Sequence, residues 1–307
     1  MRSVSFVHLL LLVAGSAGSA FSPIVACNRT NSAPTAARVS RTVAEAAASA
    51  RDVTLPRSSG ANAPPEPSIS LVVSRADVRL DGDPYRVAEV PADSASGFSD
   101  DDKRNGRSDL WVTPIEHALR GERERSGALP QASVASERAP SLVVIADEHA
   151  SYRILREIIF TAAQAGMGSV HVAARAADDG RVVALRIVTP SHALEAPSVR
   201  LGVDGIAVRF GDVALGAGCD EDRDGLAVAR APDGDYDWAA LDTCLRKLRA
   251  TSPALADQAV ALLEAEDAIE LAVVVRAMDT LRMTFADGVA LVAPSVGAER
   301  REDGGAK

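Results

Sequence analysis

Apolar and polar positions along this chain follow a pattern that occurs twice. A buried strand leads into acidic residues, an amphipathic helix and a second strand, and the same order returns later in the chain. The first copy comprises strand 142–146, helix 150–165 and strand 169–174, and the second comprises strand 259–263, helix 269–283 and strand 289–292. In the first helix, four apolar residues recur at the spacing of one buried face, which are Leu155, Ile158, Ile159 and Ala162. The repetition predicts that the chain is a duplication of one small α+β unit.

Each copy is preceded by a strand pair and a helix. In the first unit these are the apolar run 68–73, an alternating strand at 77–82 and a helix from 113 to about 124. In the second they are a hairpin over 198–210 that turns at Asp204-Gly205, and a helix over 236–249. The predicted fold class is α+β, with two tandem two-layer sandwiches in which a small sheet carries two helices on one face. We place the two domains at 68–190 and 198–294.

The remaining segments are polar or of low complexity. Residues 28–67 are rich in Ala, Ser, Pro and Thr, which predicts a flexible tether whose Ala-rich stretch 43–50 has no apolar face to hold it to a core. The insertion 91–109 is too hydrophilic for a core and is predicted to be a mobile loop. Thr113, Pro114 and Glu116 form a predicted helix start with a capping box. The tail 295–307 is predicted to be disordered.

The first 27 residues have the order of a secretory signal. Arg2 precedes an apolar run, small residues follow, and the stretch ends at Ile24-Val-Ala-Cys27. That ending resembles the bacterial lipobox, in which the cysteine, here Cys27, is acylated and becomes the new N-terminus. Two alternatives remain open, which are ordinary cleavage near Ala20 and an uncleaved membrane anchor across residues 4–27. All three place the folded units outside the cytoplasm, in the periplasm or cell envelope.

The net charge of the chain excludes one class of partner, and its cysteines indicate a disulfide. The chain is acidic, with a formal net charge of −9, whereas a nucleic-acid partner needs clustered Lys and Arg. We therefore predict no nucleic-acid binding. If Cys27 carries lipid, Cys219 and Cys244 remain, and two cysteines in an exported protein more often form a disulfide than a site.

Titratable residues provide few candidates for chemistry. The carboxylates at strand ends have two interpretations. They could act in paired acid–base catalysis or cation binding, or they could be charges placed favourably at a helix start, and we favour the helix-start interpretation. They are Asp147, Glu148, Glu264, Glu266 and Asp267. The histidines lie on different elements without the spacing of metal ligands; they are His117, His149, His171 and His192. We predict no catalytic residue, no metal and no cofactor.

The order of elements and several short motifs resemble the periplasmic domain of the ExbD/TolR family of biopolymer-transport proteins. Val143-Val-Ile-Ala-Asp147 followed by Tyr152 is similar to the family's strand ending in Ala-Asp and its helix-opening Tyr. In the second copy, Asp267 stands in the looser match, Leu271 replaces the Tyr, and Asp279 resembles the end of the family's helix. The resemblance implies that Asp147, Tyr152, Asp267 and Asp279 are scaffold positions.

The resemblance also implies possible functions. Family members use an Asp in a transmembrane helix for proton-driven work with an ExbB/TolQ-type partner, but residues 3–27 hold no Asp, Glu, Lys or Arg. The first hypothesis is therefore a non-enzymatic envelope protein that binds an envelope protein or cell-wall material while held at the membrane by lipid. The second is a subunit of a proton-driven complex, anchored by a single N-terminal helix and bound to an ExbB/TolQ-type membrane protein. The third is a secreted enzyme whose residues are dispersed along the chain.

Overall fold

The structure is a computed structural model that describes residues 42–60, 62–66, 68–81, 85–126, 139–188, 196–211, 213–220, 225–255, 258–285 and 288–291. These residues form a mixed α/β fold around one large mixed sheet of 13 strands. The predicted signal region 1–27 and the tail 295–307 lie outside the described residues, so these predictions stay untested. None of the helices in the described ranges is long and apolar enough to cross a membrane.

Both halves of the chain contain three strands, a helix, a strand, a helix and a strand in this order, and each half also has further elements of its own. The first half contains α1 (Val43–Ser49), β1 (Arg57–Ser58), β2 (Ser68–Val73), β3 (Asp77–Leu80), β4 (Arg86–Glu89), α2 (Thr113–Arg125), β5 (Ser141–Ala146), α3 (Tyr152–Gln164), β6 (Ser169–Ala176) and β7 (Val182–Ile187). The second half contains β8 (Ser198–Gly202), β9 (Gly205–Phe210), β10 (Val213–Leu215), β11 (Val228–Ala229), α4 (Trp238–Thr251), β12 (Val260–Ala265), α5 (Leu271–Thr284) and β13 (Gly288–Leu291).

The strand order of the sheet is close to a palindrome. It runs β4-β3-β2-β5-β6-β7-β13-β12-β8-β9-β10, with β1 beside β6 and β11 beside β9. From either end the sheet begins with an antiparallel meander and continues into two parallel strands. β7 lies between the halves, antiparallel to β6 and parallel to β13. The two small sheets expected from the sequence are therefore joined into one, because β7 pairs with the edge strands of both halves.

The repeat keeps a constant spacing through its central part. β5 and β12 begin at residues 141 and 260, α3 and α5 at 152 and 271, and β6 and β13 at 169 and 288, so corresponding residues are 119 positions apart. β2 and β8 pair in parallel with β5 and β12, respectively, in both halves. This agreement of spacing and pairing supports the predicted duplication.

The main core lies between the sheet and helices α2, α3, α4 and α5. Strand residues alternate between the two faces, so Leu142 and Val144 point toward these helices while Val143 and Ile145 point to the opposite face. The predicted buried face of α3 is confirmed for Leu155, Ile158 and Ala162, whereas Ile159 is only partly buried against the same core. Burying side chains of this size stabilises the fold by roughly 1.5–3 kcal/mol for each Leu or Ile.

The predicted tether is wrong for residues 42–60, which belong to the folded unit. Thr42 and Glu45 form a capping box at the start of α1, whose Val43, Ala46 and Ala47 are buried against the opposite face of the sheet. The sequence of this Ala-rich stretch shows no apolar face of large side chains. Small alanines nevertheless allow close packing on a sheet, and the buried run of β5, apolar on both faces, needs a cover on each side.

The predicted mobile loop over 91–109 is also wrong. It contains two short 3₁₀ turns, Ser94–Ser96 and Asp100–Asp102, and it buries Phe98 and Lys103. Because the composition of the insertion is hydrophilic, the burial of these two anchoring residues was not predicted. The predicted capping box is likewise replaced, because α2 begins at Thr113 with Val112 as its N-cap, and Glu116 bonds to Trp111 and Arg120 instead.

Candidate functional site

The starts of α3 and α5 meet at the junction of the two halves. Four backbone hydrogen bonds cross this junction: Tyr152 N to Ile269 O (2.7 Å), Leu271 N to Ala150 O (2.8 Å), Arg153 N to Asp267 O (3.2 Å) and Ala272 N to Glu148 O (2.9 Å). Each bond has a partner that differs by the repeat spacing of 119, so the contact is reciprocal. The first N–H groups of a helix have no partner within the helix, and here each half satisfies those of the other.

Asp147 follows β5 and is 2 % exposed. Its carboxylate accepts hydrogen bonds from the Thr54 amide (3.0 Å), the His149 amide (3.1 Å) and Arg75 Nε (3.1 Å). Burial by itself raises the pKa of Asp147, but the two amide donors and the Arg75 guanidinium together bring that pKa below its ordinary value. Asp147 is therefore held as a carboxylate that fastens the segment around Thr54 to the end of β5.

Asp279 holds a second point of the same segment. It lies in α5 and is 5 % exposed, and it accepts hydrogen bonds from Ser58 Oγ (2.7 Å), the Ser59 amide (2.7 Å) and Ser59 Oγ (3.2 Å). These partners could not be predicted from local sequence, since they are more than 200 residues away along the chain. Residues 54–59 are thus attached to the first half through Asp147 and to the second half through Asp279.

Tyr152 and Asp267 both contribute to the junction. Tyr152 is fully buried, its hydroxyl donates to Leu263 O at 3.4 Å, and burial raises its pKa well above the ordinary value. The side chain of Asp267 is 42 % exposed and pairs with Arg153 Nη1 at 3.4 Å and Arg156 Nη2 at 3.1 Å. Tyr152 and Leu271 occupy corresponding positions in the structure, because each begins its helix and bonds to the other half.

A buried charge cluster that the sequence did not predict lies beside the junction. The side chains of Glu157 and Lys103 are both 0 % exposed and pair at 2.9 Å. Glu157 also accepts from Arg153 Nε at 2.6 Å and from the Phe98 amide at 2.8 Å. Gly97, at φ 80°, passes so close that a β-carbon there would lie 2.5 Å from Glu157 Oε1. The one feature of the sequence that could have indicated this cluster is the position of Glu157 between the apolar residues of α3.

The remaining candidate carboxylates and histidines are dispersed. Glu266, the counterpart of Asp147, accepts from the Val203 amide at 3.1 Å. His149 is near Glu270 of the other half, with Nδ1 3.2 Å from Oε1. Burial, assisted by Arg186, lowers the pKa of His171 to about 4. His192 lies outside the described residues, and within the ranges that are described no three His, Cys, Asp or Glu side chains converge in a way that could hold a metal ion.

Cys219 and Cys244 form the predicted disulfide, which ties the 3₁₀ turn Ala217–Cys219 to α4. Lys247, one turn further along α4, pairs with Asp220 at 2.5 Å and reinforces the same attachment. Cys27 lies outside the described residues, and its acylation stays a prediction.

Neither a protein-family model nor an individual protein of known function matches this sequence. The geometry of the fold and of its junction is therefore the basis on which a function can be proposed.

Proposed function

We propose that this chain is a non-enzymatic protein of the cell envelope, with two ExbD/TolR-like domains, that binds an envelope protein or cell-wall material. In this proposal acylated Cys27 tethers the chain to a bacterial membrane. The observation that carries the proposal is the internal duplication, in which two copies of one unit contact each other through equivalent residues. Domains of the ExbD/TolR type often dimerise, and the duplication would supply such a pair within one chain.

The contacts of the motif residues support a scaffold role. Asp147 and Asp279 are buried and accept hydrogen bonds from the segment 54–59, while Asp267 is paired with two arginines across the junction. A carboxylate used as a general base needs access to substrate and a pKa near the working pH. These residues are instead committed to structural partners, which favours binding over catalysis.

The path of the N-terminal segment supports a tethered protein. Between Thr42 and Asn62 the chain packs α1 on the sheet, pairs β1 with β6 and bonds Asn62 to Ala184. A mechanical force applied at the predicted attachment, Cys27, would be transmitted to the folded unit through this segment. Because Asp147 and Asp279 hold it at both halves, the force would be shared between them.

The tether is tested by mass spectrometry of the mature protein together with a Cys27→Ala variant. The proposal expects an acylated Cys27 at the N-terminus, and release of the variant from the membrane fraction. A mature chain that begins at Met1 or Arg2 and stays in the membrane would favour the alternative, the anchored subunit of an ExbB/TolQ-type complex.

The binding function is tested with the released Cys27→Ala protein. We expect it to co-sediment with purified cell-wall sacculi, or to be cross-linked in envelope extracts to one specific protein. Detection of neither interaction, with the protein folded by circular dichroism, would contradict the proposal.

A further inference from the structure

The first half carries a polar surface cleft that the proposed function does not use. It lies beside the 91–109 insertion and the first turns of α2 and has a volume of about 440 Å³. Its lining consists of Arg104, Thr113, Glu116, His117 and Arg120. All of these side chains are polar or charged, so the cleft suits a hydrophilic ligand.

The single carboxylate in this lining is already neutralised. Glu116 is buried, and it accepts a hydrogen bond from Trp111 Nε1 at 2.7 Å on one oxygen and pairs with Arg120 Nη2 at 2.7 Å on the other. With both oxygens engaged, Glu116 is a poor ligand for a cation. Its pairing with Arg120 also holds that guanidinium at the wall of the cleft.

Arg104 has a different environment. Its guanidinium carbon lies 4.1 Å from the centre of the Trp111 ring, and within the described ranges no carboxylate lies at ion-pair distance from it. An arginine stacked on an indole is held in orientation while the donors at the edge of its plane stay available. Such donors match the paired oxygens of a carboxylate or phosphate.

We infer that this cleft, built from Arg104, Arg120, His117 and Thr113, binds a small oxyanion, either a carboxylate or a phosphate. Arg104 supplies the unpaired charge, Arg120 a second guanidinium, and Thr113 a hydroxyl donor. The inference does not depend on the proposed function, because it would hold whether the rest of the surface binds an envelope protein, cell-wall material or neither.

Trp111 provides a direct readout, because Arg104 stacks on its ring. The full chain contains two tryptophans, and a Trp238→Phe substitution leaves Trp111 as the single indole. This protein is titrated at constant ionic strength with inorganic phosphate, with acetate and with chloride. We expect a saturable change in fluorescence with phosphate or acetate and none with chloride, and the stronger of the two identifies the oxyanion class.

An Arg104→Gln variant should bind the preferred anion about tenfold more weakly, since it loses a charge-assisted hydrogen bond. Arg86→Gln is the matched control, because Arg86 is an exposed arginine on β4 that does not line the cleft. It should bind as the parent protein does.

Because Arg104→Gln also alters the surroundings of Trp111, affinities are measured in parallel by isothermal titration calorimetry, and folding is checked by thermal melting. Equal responses to all three salts, or an Arg104→Gln variant that binds like the control, would overturn the inference. If Arg104→Gln does not fold, Arg120→Gln is used, which leaves the stacked Arg104 in place and should also weaken binding.

Discussion

At the residue scale, the structure depends on a few buried charges that satisfy one another. Glu157 receives donors from Lys103, Arg153 and the Phe98 amide, and this cluster holds the 91–109 insertion against α3. A buried ion pair adds little net stability when compared with an apolar pair, but removal of one partner leaves a charge in a low-dielectric site. The cluster is therefore sensitive to single substitutions.

We expect Glu157→Gln to destabilise the protein by about 3–5 kcal/mol, because Lys103 then loses its buried counter-charge. The free energy of unfolding is measured by urea denaturation. Glu122→Gln, in the surface pair with Arg125, is the control and should cost less than about 1 kcal/mol. Replacing both charges, as in Lys103→Met with Glu157→Gln, should restore part of the loss. Similar losses for Glu157→Gln and the control would contradict this account of the cluster.

Asp147 should make the stability of the folded protein depend on pH in the acidic range. Its pKa in the folded protein is lowered from an unfolded value of 3.8, so its stabilising contribution is complete above that value and is lost as the pH falls through the folded pKa. In Asp147→Asn this part of the pH dependence should disappear, while the melting temperature at neutral pH should fall. Melting temperatures of both proteins between about pH 2 and pH 7 test the prediction. Parallel pH profiles for the two proteins would show that Asp147 is not the titrating group.

At the element scale, α1 illustrates how a short helix of low intrinsic stability becomes part of a fold. An isolated helix of this length does not persist in water, so its order comes from packing and from its cap. Ala46 is fully buried against the sheet, whereas Ala48 on the same helix is exposed. These two alanines form a matched pair for substitution.

Ala46→Arg should detach α1 and cost about 2 kcal/mol or more, because the buried site has no room for the longer side chain. Ala48→Arg should change stability by less than about 0.5 kcal/mol. Limited proteolysis and thermal melting distinguish the two outcomes, with cleavage near residue 50 expected for Ala46→Arg alone. If both variants resist protease equally, α1 is not held as the structure describes.

At the scale of the whole molecule, the two halves depend on each other. β7 pairs with β6 and with β13, and the α3–α5 junction adds reciprocal backbone hydrogen bonds. Separation of the halves would leave strand edges and helix N–H groups without partners.

Co-expressed fragments 42–188 and 196–291 should therefore purify as a one-to-one complex. The fragment 196–291 expressed alone should be poorly soluble, since it would expose the edge of β13. Size-exclusion chromatography with a tag on one fragment measures the association. Recovery of two independently folded monomers would instead support the tandem domains expected from the sequence.

The local elements and their repetition can be predicted from the order of residues along the chain. The spacing of apolar residues predicted β5, α3, β6 and their second copies, and the 198–210 hairpin is present, although its turn consists of Val203 and Asp204. The disulfide between Cys219 and Cys244 was also predicted from the sequence. These features depend on periodicity and on a small number of possible partners, both of which are visible along the chain.

The way in which distant segments combine becomes visible only in the folded molecule. Asp279 bonds to Ser58 across 221 positions, and Asp147 bonds to Thr54 across 93. The same is true of three further features, which are the joining of both halves into one sheet, the docking of α1 and the burial of Lys103 beside Glu157. Each depends on which surfaces come together after folding, and local patterns of apolar and polar residues do not specify that choice.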